Sequence, residues 1–243
     1  MLNVWTIARR EFNHYFISPV AYAIAFLIFL VLGLLFYASL GQAINSQQAP
    51  DITIVLGPLV TIYLFAVPGI TMRLLADEQR MGTIELLLTA PLKDWELVVG
   101  KWLGAFLFNL VIIAVTWIYP FILNSLTEPG IDQGVVLSNY MGLVMMLGAM
   151  LAIGVFFSSL FSNQFAAFFV TLGVLLVLWI LSVPVQAAGG PVAAVLQYLD
   201  MSEHFYTSLY RGVLDTTDFL YFASLIAVFL FLGARVVEAR RWR

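Results

Sequence analysis

The chain of 243 residues is 62 % hydrophobic and only 10 % charged, and its mean hydropathy is +0.98. These values lie far outside the range of soluble domains and indicate a protein that crosses a membrane several times. The net charge of −3 argues against a nucleic-acid partner, and the absence of cysteine excludes disulfides, thiol catalysis and cysteine-ligated metals. The composition gives no sign of a bound cofactor.

Residues 1–18 are too polar to cross a bilayer but follow a helical pattern. Four apolar residues recur at helical spacing opposite a polar side: Trp5, Ala8, Phe12 and Tyr15. This pattern predicts an amphipathic helix lying in the membrane interface, and the alternative is a frayed terminus. The apolar run that follows lacks a small-residue cleavage site, so we expect a retained span rather than a signal peptide.

Windows of about 20 apolar residues predict six membrane-spanning helices. They cover residues 19–40, 52–72, 102–123, 135–160, 165–183 and 219–234. The connections are too short to hold a folded extracellular domain, so residues 1–243 are predicted to form a single transmembrane domain. The expected fold class is therefore an all-α polytopic membrane protein.

The positions of the cations predict the orientation of these spans. Lys and Arg residues accumulate before the first span, between the second and third, and after the sixth, and only Arg211 lies elsewhere. Because cations accumulate on the cytoplasmic side, both termini are predicted to be cytoplasmic.

The connection at residues 73–101, between the second and third spans, is dense in charge and so is expected to lie in water beside the membrane. Its residues predict two short helices separated by Gly82, which can take the left-handed conformation that ends a helix. Thr83 can cap the second helix, Glu85 suits the positive end of its dipole, and Pro91 ends it. By its charges alone, this segment is better interpreted as an ordinary solvated loop that turns the chain between two spans.

The pattern of this connection resembles the cytoplasmic coupling loop of ABC type 2 exporter permeases, and more narrowly the gliding-motility-associated branch. The matching residues are Glu78, Arg80, Gly82, Thr83, Ile84, Glu85, Leu87, Leu88, Thr89 and Pro91, followed by Gly100 and Lys101. The resemblance implies that this loop docks on a separate ATPase subunit. The docking residues it implies are Glu78, Arg80, Gly82, Thr83, Glu85, Leu87, Leu88 and Pro91.

The six predicted spans contain no Asp, Glu, Lys, Arg or His. Ion-coupled transporters usually carry ionisable groups at membrane depth, so their absence argues against secondary transport. The chain also lacks a P-loop and the usual hydrolase motifs, so it is not expected to be an enzyme. Any energy must come from ATP and Mg²⁺ held by another polypeptide.

Two pairs of small residues at a spacing of four can let helices approach closely. They are Gly100 with Gly104 and Gly148 with Ala152. The sequence does not distinguish contacts within one chain from contacts between two chains.

The outer segment, residues 184–218, contains an apolar stretch too short to cross the bilayer, which predicts helices that dip into the membrane and return. This arrangement is similar to the re-entrant outer helices of the same permease family. Arg211 and Asp215 lie four residues apart and would pair if they share a helix. Such a pair is either purely structural or part of an outer gate.

The resemblance implies half of a translocation pathway, completed by a second permease chain, identical or paralogous, and by two ABC ATPase subunits in a bacterial inner membrane. Membrane lipids and an auxiliary envelope protein are further expected partners. The alternative is a non-ABC channel or a scaffold component of an envelope or motility assembly. No cargo can be inferred from the sequence.

Overall fold

The computed structural model describes residues 2–46, 50–83, 92–181, 183 and 190–241, and none of these residues forms a strand. The helices are α1 (Leu2–Tyr15), α2 (Pro19–Ser46), α3 (Thr53–Thr71), α4 (Ala76–Arg80), α5 (Asp94–Thr116), α6 (Ile118–Leu126), α7 (Gln133–Leu160), α8 (Gln164–Ile180), α9 (Gly190–Leu199), α10 (Met201–Tyr206) and α11 (Thr216–Arg241). A 3₁₀ turn at Leu209–Arg211 lies between α10 and α11. The all-α prediction is confirmed for the described residues.

Within the described residues, five helical segments are long and apolar enough to cross a membrane. They are Pro19–Ala43, Thr53–Arg80, Asp94–Leu126, Gln133–Leu160 and Thr216–Arg240. The fifth predicted span corresponds to α8, which has 17 residues. At 1.5 Å per residue such a helix is about 26 Å long, slightly shorter than the ~30 Å hydrocarbon layer. The chain is therefore a multi-pass membrane protein, and its sixth span stays a prediction.

Helix α7 is the centre of the bundle and packs against α3, α5, α8 and α11. Small residues let these neighbours approach. A Cβ at Gly154 would lie 2.2 Å from Thr71 Oγ1, and one at Gly148 would lie 3.1 Å from Ile226 Cδ1. The carbonyl oxygen of Gly148 also accepts a hydrogen bond from Trp102 Nε1 at 3.0 Å. The contacts at Gly148 are thus within one chain.

The outer segment contains two short helices, α9 and α10, and α10 packs on the bundle. Asp200 lies between α9 and α10 and its Oδ1 accepts hydrogen bonds from the amides of Ser202 and Glu203 at 2.7 and 3.1 Å, which caps α10. Helix α10 contacts α7 and α8. Helix α9 has ten residues and is too short to span the bilayer, as predicted, whereas its re-entrant placement stays a prediction.

Candidate functional site

Four charged side chains meet where α1, α4 and α5 converge, and we call them the charge cluster: Arg10, Glu11, Glu78 and Lys101. Lys101 lies on α5 with only 2 % of its side chain exposed, and its Nζ is 2.9 Å from Glu11 Oε1 and 2.8 Å from Glu78 Oε1. Arg10 Nη2 lies 3.0 Å from the same Glu11 oxygen and 3.6 Å from Glu78 Oε1. Two cations and two carboxylates therefore neutralise one another at one point.

Helix α1 reaches Lys101 because two glycines on α5 leave room for its backbone. A Cβ at Gly100 would lie 2.8 Å from Ile7 Cβ, and a Cβ at Gly104 would lie 2.6 Å from Glu11 Cβ and 2.9 Å from the carbonyl oxygen of Ala8. Real Cβ atoms do not approach other atoms this closely. The Gly100 and Gly104 pair thus forms a contact within the chain, and any side chain there would push α1 away.

Both ends of α1 are also fixed by polar or aromatic contacts. Near its start, Asn3 Nδ2 donates to Glu96 Oε2 at 3.1 Å, and the same oxygen accepts from the Lys93 amide at 3.0 Å. At its end, Tyr15 stacks on Phe108 with ring centroids 4.7 Å apart. The predicted N-terminal helix is confirmed as a helix, and its packed face lies against α5.

The packed face of α1 differs from the predicted apolar face at two positions, because Glu11 is buried and Trp5 is exposed. Ile7, Ala8 and Glu11 are its buried members, whereas Trp5 is 56 % exposed. A carboxylate on this face is tolerated because Lys101 lies opposite it. Burial alone would raise the pKa of Glu11, but Lys101 and, more weakly, Arg10 outweigh burial and hold this pKa below its ordinary value of 4.5.

This lowered pKa predicts an acid-sensitive contribution to stability. The unfolded chain binds the proton more readily, so the stabilisation is complete above a pH of 4.5 and is lost as the pH falls through the folded-state pKa. We expect acidification to lower the thermal unfolding temperature of the wild type more than that of Glu11→Gln, measured in detergent by intrinsic fluorescence. The exposed Glu128→Gln should behave like the wild type, and equal acid sensitivity of Glu11→Gln would contradict the prediction.

Helix α4 is fixed to the end of α7 and the start of α8. The amides at positions 75 and 76 donate to Ser158 Oγ at 3.0 and 3.1 Å. Gln79 Nε2 donates to the carbonyl oxygen of Ser159 at 2.7 Å, and the side-chain amide of Gln164 donates to the carboxylate of Asp77. Together with the bonds of Glu78 to the charge cluster, these contacts join α4 to α1, α5, α7 and α8.

The predicted docking residues fall into two groups. Glu78 is largely buried in the charge cluster, whereas Arg80 is exposed. Gly82 has φ +70°, the left-handed conformation that its place after α4 predicts. Thr83 Oγ1 donates to the carbonyl oxygen of Glu78 at 3.3 Å. The remaining docking residues, and with them the second short helix, lie outside the described residues: Glu85, Leu87, Leu88 and Pro91.

The sequence assigned no site role to Arg10, Glu11 or Lys101, although Lys101 belongs to the pattern that resembles the coupling loop. Lys101 immediately precedes the apolar window 102–123, where a cation is ordinarily interpreted as a solvated end of a span. The available signal was its place one residue after Gly100, within the Gly100 and Gly104 pair. Glu11 lies three residues after Ala8, so helical spacing is compatible with its place on the packed face, although the predicted apolar face did not include it.

At the outer segment, Arg211 and Asp215 do not share a helix. The 3₁₀ turn that contains Arg211 ends at Gly212, which has φ +87°, and α11 begins only at Thr216. The ion pairs of the described residues do not include Arg211 with Asp215. Instead the amide of Thr217 donates to Asp215 Oδ1 at 2.8 Å, and this bond lowers the pKa of Asp215. The condition for the predicted pair is therefore not met.

A different polar group joins the outer helices. His204 Nδ1 lies 2.6 Å from Asp218 Oδ1, and His204 Nε2 lies 2.9 Å from the carbonyl oxygen of Tyr198. Ser208 Oγ donates to the second carboxylate oxygen of Asp218, and the ring of Tyr221 stacks on His204 at 3.9 Å. These contacts tie α9, α10 and the start of α11 together.

Removing the Asp218 carboxylate should loosen this outer group. Asp218→Ala leaves His204 and Ser208 without their partner, and breaking such a buried pair costs about 3 kcal/mol. We expect a lower thermal unfolding temperature and faster protease cleavage in the outer segment. Asp215→Asn, which alters an exposed carboxylate nearby, is the control, and equal behaviour of the two variants would contradict the prediction.

A family model described as "ABC-2 family transporter protein" matches residues 5–241. A search of curated proteins found no match. Because the family model covers nearly the whole sequence, the chain belongs to the ABC-2 family and is a permease subunit of an ABC transporter.

Proposed function

We propose that this chain forms half of the translocation pathway of an ATP-driven exporter and docks a separate ATPase through residues 73–101. The observation that carries the proposal is the charge cluster together with the anchoring of α4. Glu78 belongs to the proposed docking segment. Its Oε1 forms an ion pair with Lys101 Nζ on α5 at 2.8 Å. Family membership supports an ABC ATPase as the partner.

The contacts of α4 suit the transmission of force. A short helix of five residues cannot resist displacement by itself, because its backbone hydrogen bonds are too few. This helix is instead bonded to α5 through Lys101, to α7 through Ser158 and to α8 through Gln164. A push on α4 would therefore move these helices together. In this proposal the partner ATPase binds ATP and Mg²⁺, and this chain only receives the displacement that the partner applies to α4.

We further propose six spans, with α8 as the fifth, and an orientation with both termini in the cytoplasm of a bacterial inner membrane. The cation distribution supports this orientation. A second permease chain, identical or paralogous, would complete the pathway, and two ATPase subunits would bind the pair. Assignment to the gliding-motility branch and an auxiliary envelope protein rest on sequence resemblance, and the cargo is left open.

The test separates docking from folding. Arg80 is exposed and its side chain forms no hydrogen bond or ion pair with the described residues, so Arg80→Glu should leave the fold intact. Gly82→Val places a β-branched residue at φ +70°, which costs about 1–2 kcal/mol locally and misdirects the following chain. We expect both variants to insert normally but to retain less ATPase in pull-downs and to lose transport-linked ATP hydrolysis.

The control is Arg235→Gln, which removes an exposed cation from α11, outside the docking segment. It should retain ATPase as the wild type does. Wild-type ATPase retention and coupling by both Arg80→Glu and Gly82→Val would overturn the assignment of the docking segment.

A further inference from the structure

A cavity of about 720 Å³ lies where the end of α1, the start of α2 and the end of α3 meet. One part of its wall is apolar and belongs to the membrane spans, with Ala21 and Ile24 on α2 and Gly69 and Ile70 on α3. Because these residues belong to the ends of two spans, the cavity lies at the boundary between hydrocarbon and water.

The polar part of the wall carries charges of both signs, but most of them already have partners. The charge cluster contributes one face, and its four charges neutralise one another. The carboxylate of Asp77 accepts the side-chain amide of Gln164. Arg73 also lines the cavity; it is exposed and takes part in no ion pair of the described residues. The named lining residues carry three cations and three carboxylates, and Arg73 is the cation among them that has no ion pair within the described residues.

Two further polar side chains line the same cavity as Arg73. Asn13 and His14, on the last turn of α1, are exposed and line it. An amide, an imidazole and a guanidinium all offer N–H donors, and a guanidinium matches the oxygens of a phosphate. These three side chains are suited to a phosphate group, whereas the apolar part of the wall is suited to hydrocarbon.

We propose that this cavity binds one phospholipid of the surrounding membrane, with its phosphate on Arg73 and the upper part of an acyl chain along α2 and α3. The volume of about 720 Å³ lies within the usual range for small-molecule sites and holds a headgroup with part of a chain. A cation near the membrane surface attracts anionic lipid headgroups. The bound lipid contacts α1, α2 and α3 beside the charge cluster. The inference does not depend on the ATPase-docking proposal.

The experiment uses the full chain in nanodiscs containing phosphatidylglycerol with a diazirine on the first carbons of one acyl chain. After illumination, mass spectrometry of peptides should place the label on the segments that contain Ile24 and Ile70. Arg73→Gln should reduce this labelling roughly fivefold, the effect of about one cation at a headgroup. Arg80→Gln, which removes an exposed cation that does not line the cavity, should label as the wild type does.

A second pair of variants tests the apolar wall without altering charge. A Cβ at Gly69 meets Ile24 Cδ1 at an ordinary 3.5 Å, so Gly69→Leu should fold and occupy cavity space. It should also reduce labelling. Gly173→Leu is the matched control, since a Cβ at Gly173 meets nothing within 4 Å. Elution on size exclusion identifies any variant that fails to fold, and Arg73→Lys then replaces Arg73→Gln, with partial labelling expected.

Three outcomes would overturn the proposal. Equal labelling of wild type, Arg73→Gln and Gly69→Leu would mean that only the general lipid layer is labelled. Labelling that moves to the face containing Gly173 would mean the same. Displacement of the label by glycerol 3-phosphate, a soluble phosphate without acyl chains, would show a site for free phosphate compounds rather than for a membrane lipid.

Discussion

Replacing Lys101 by methionine is expected to destabilise the permease by about 3–5 kcal/mol. Methionine has a similar length and is compatible with the largely apolar helix α5, so the loss arises from charge and not from a cavity. Glu11 and Glu78 would remain buried, with 11 % and 14 % of their side chains exposed. Only Arg10, which is 57 % exposed, would remain to compensate two carboxylates. The carboxylates must then take up protons or pull α1 and α4 away from α5.

The measurement is the thermal unfolding temperature of the purified chain in detergent, together with the fraction that elutes as a monodisperse species. Lys93→Met is the matched control because it removes an exposed cation just before the same helix. Adding Glu11→Gln and Glu78→Gln to Lys101→Met should recover much of the loss, since no buried charge remains unpaired. An unfolding temperature of Lys101→Met equal to that of Lys93→Met would show that the charge cluster does not stabilise the fold.

Hydropathy predicted the membrane fold well because lipid imposes a strong local constraint. A span must be both long and apolar, and five of the six predicted windows correspond to helices that satisfy both conditions. Helix α8 satisfies the apolar condition with 17 residues. The position of Gly82 was also predictable, since a glycine directly after a short polar helix suits a left-handed residue, and its φ is +70°.

The charge cluster was not predictable in the same way because it is a long-range contact. Lys101 and Glu11 are 90 positions apart in sequence, and no periodicity joins them. Charges beside an apolar window are usually solvated, so a cation at position 101 was expected to lie in water. The close approach of α1 at Gly100 and Gly104 removes that water. A pair of glycines next to a cation therefore indicates a buried charge better than hydropathy does.

The outer segment illustrates the opposite case, in which spacing suggested a pair on the condition of a shared helix, and the described residues do not meet that condition. A spacing of four brings two charges together only within one helix. Gly212, with φ +87°, ends the 3₁₀ turn that contains Arg211, so Asp215 is not in the same helical segment. The pair that forms, His204 with Asp218, is separated by 14 positions and joins α10 to α11. An argument from a spacing of four therefore fails here, because a glycine changes the direction of the backbone between the two residues.

Replacing Gly104 by leucine is expected to detach α1 from α5. Even its Cβ would lie 2.6 Å from Glu11 Cβ and 2.9 Å from the carbonyl oxygen of Ala8, and both obstacles belong to the body of α1 and not to a flexible side-chain end. The helix must therefore move as a whole, and it takes Glu11 away from Lys101. Overpacking alone costs about 1–3 kcal/mol, and the lost ion pair adds to this cost.

The absence of native cysteine allows a direct readout of this movement. Ile7 is 7 % exposed, so the thiol of Ile7→Cys should react slowly with a water-soluble maleimide in the parent chain. Adding Gly104→Leu should accelerate the reaction at least tenfold, a factor that corresponds to about 1.4 kcal/mol of easier exposure. Adding Gly173→Leu should leave the rate unchanged, because a Cβ there meets no neighbour within 4 Å. Slow labelling that persists in Gly104→Leu would mean that α5 accommodates the side chain, and that the glycine pair does not set the position of α1.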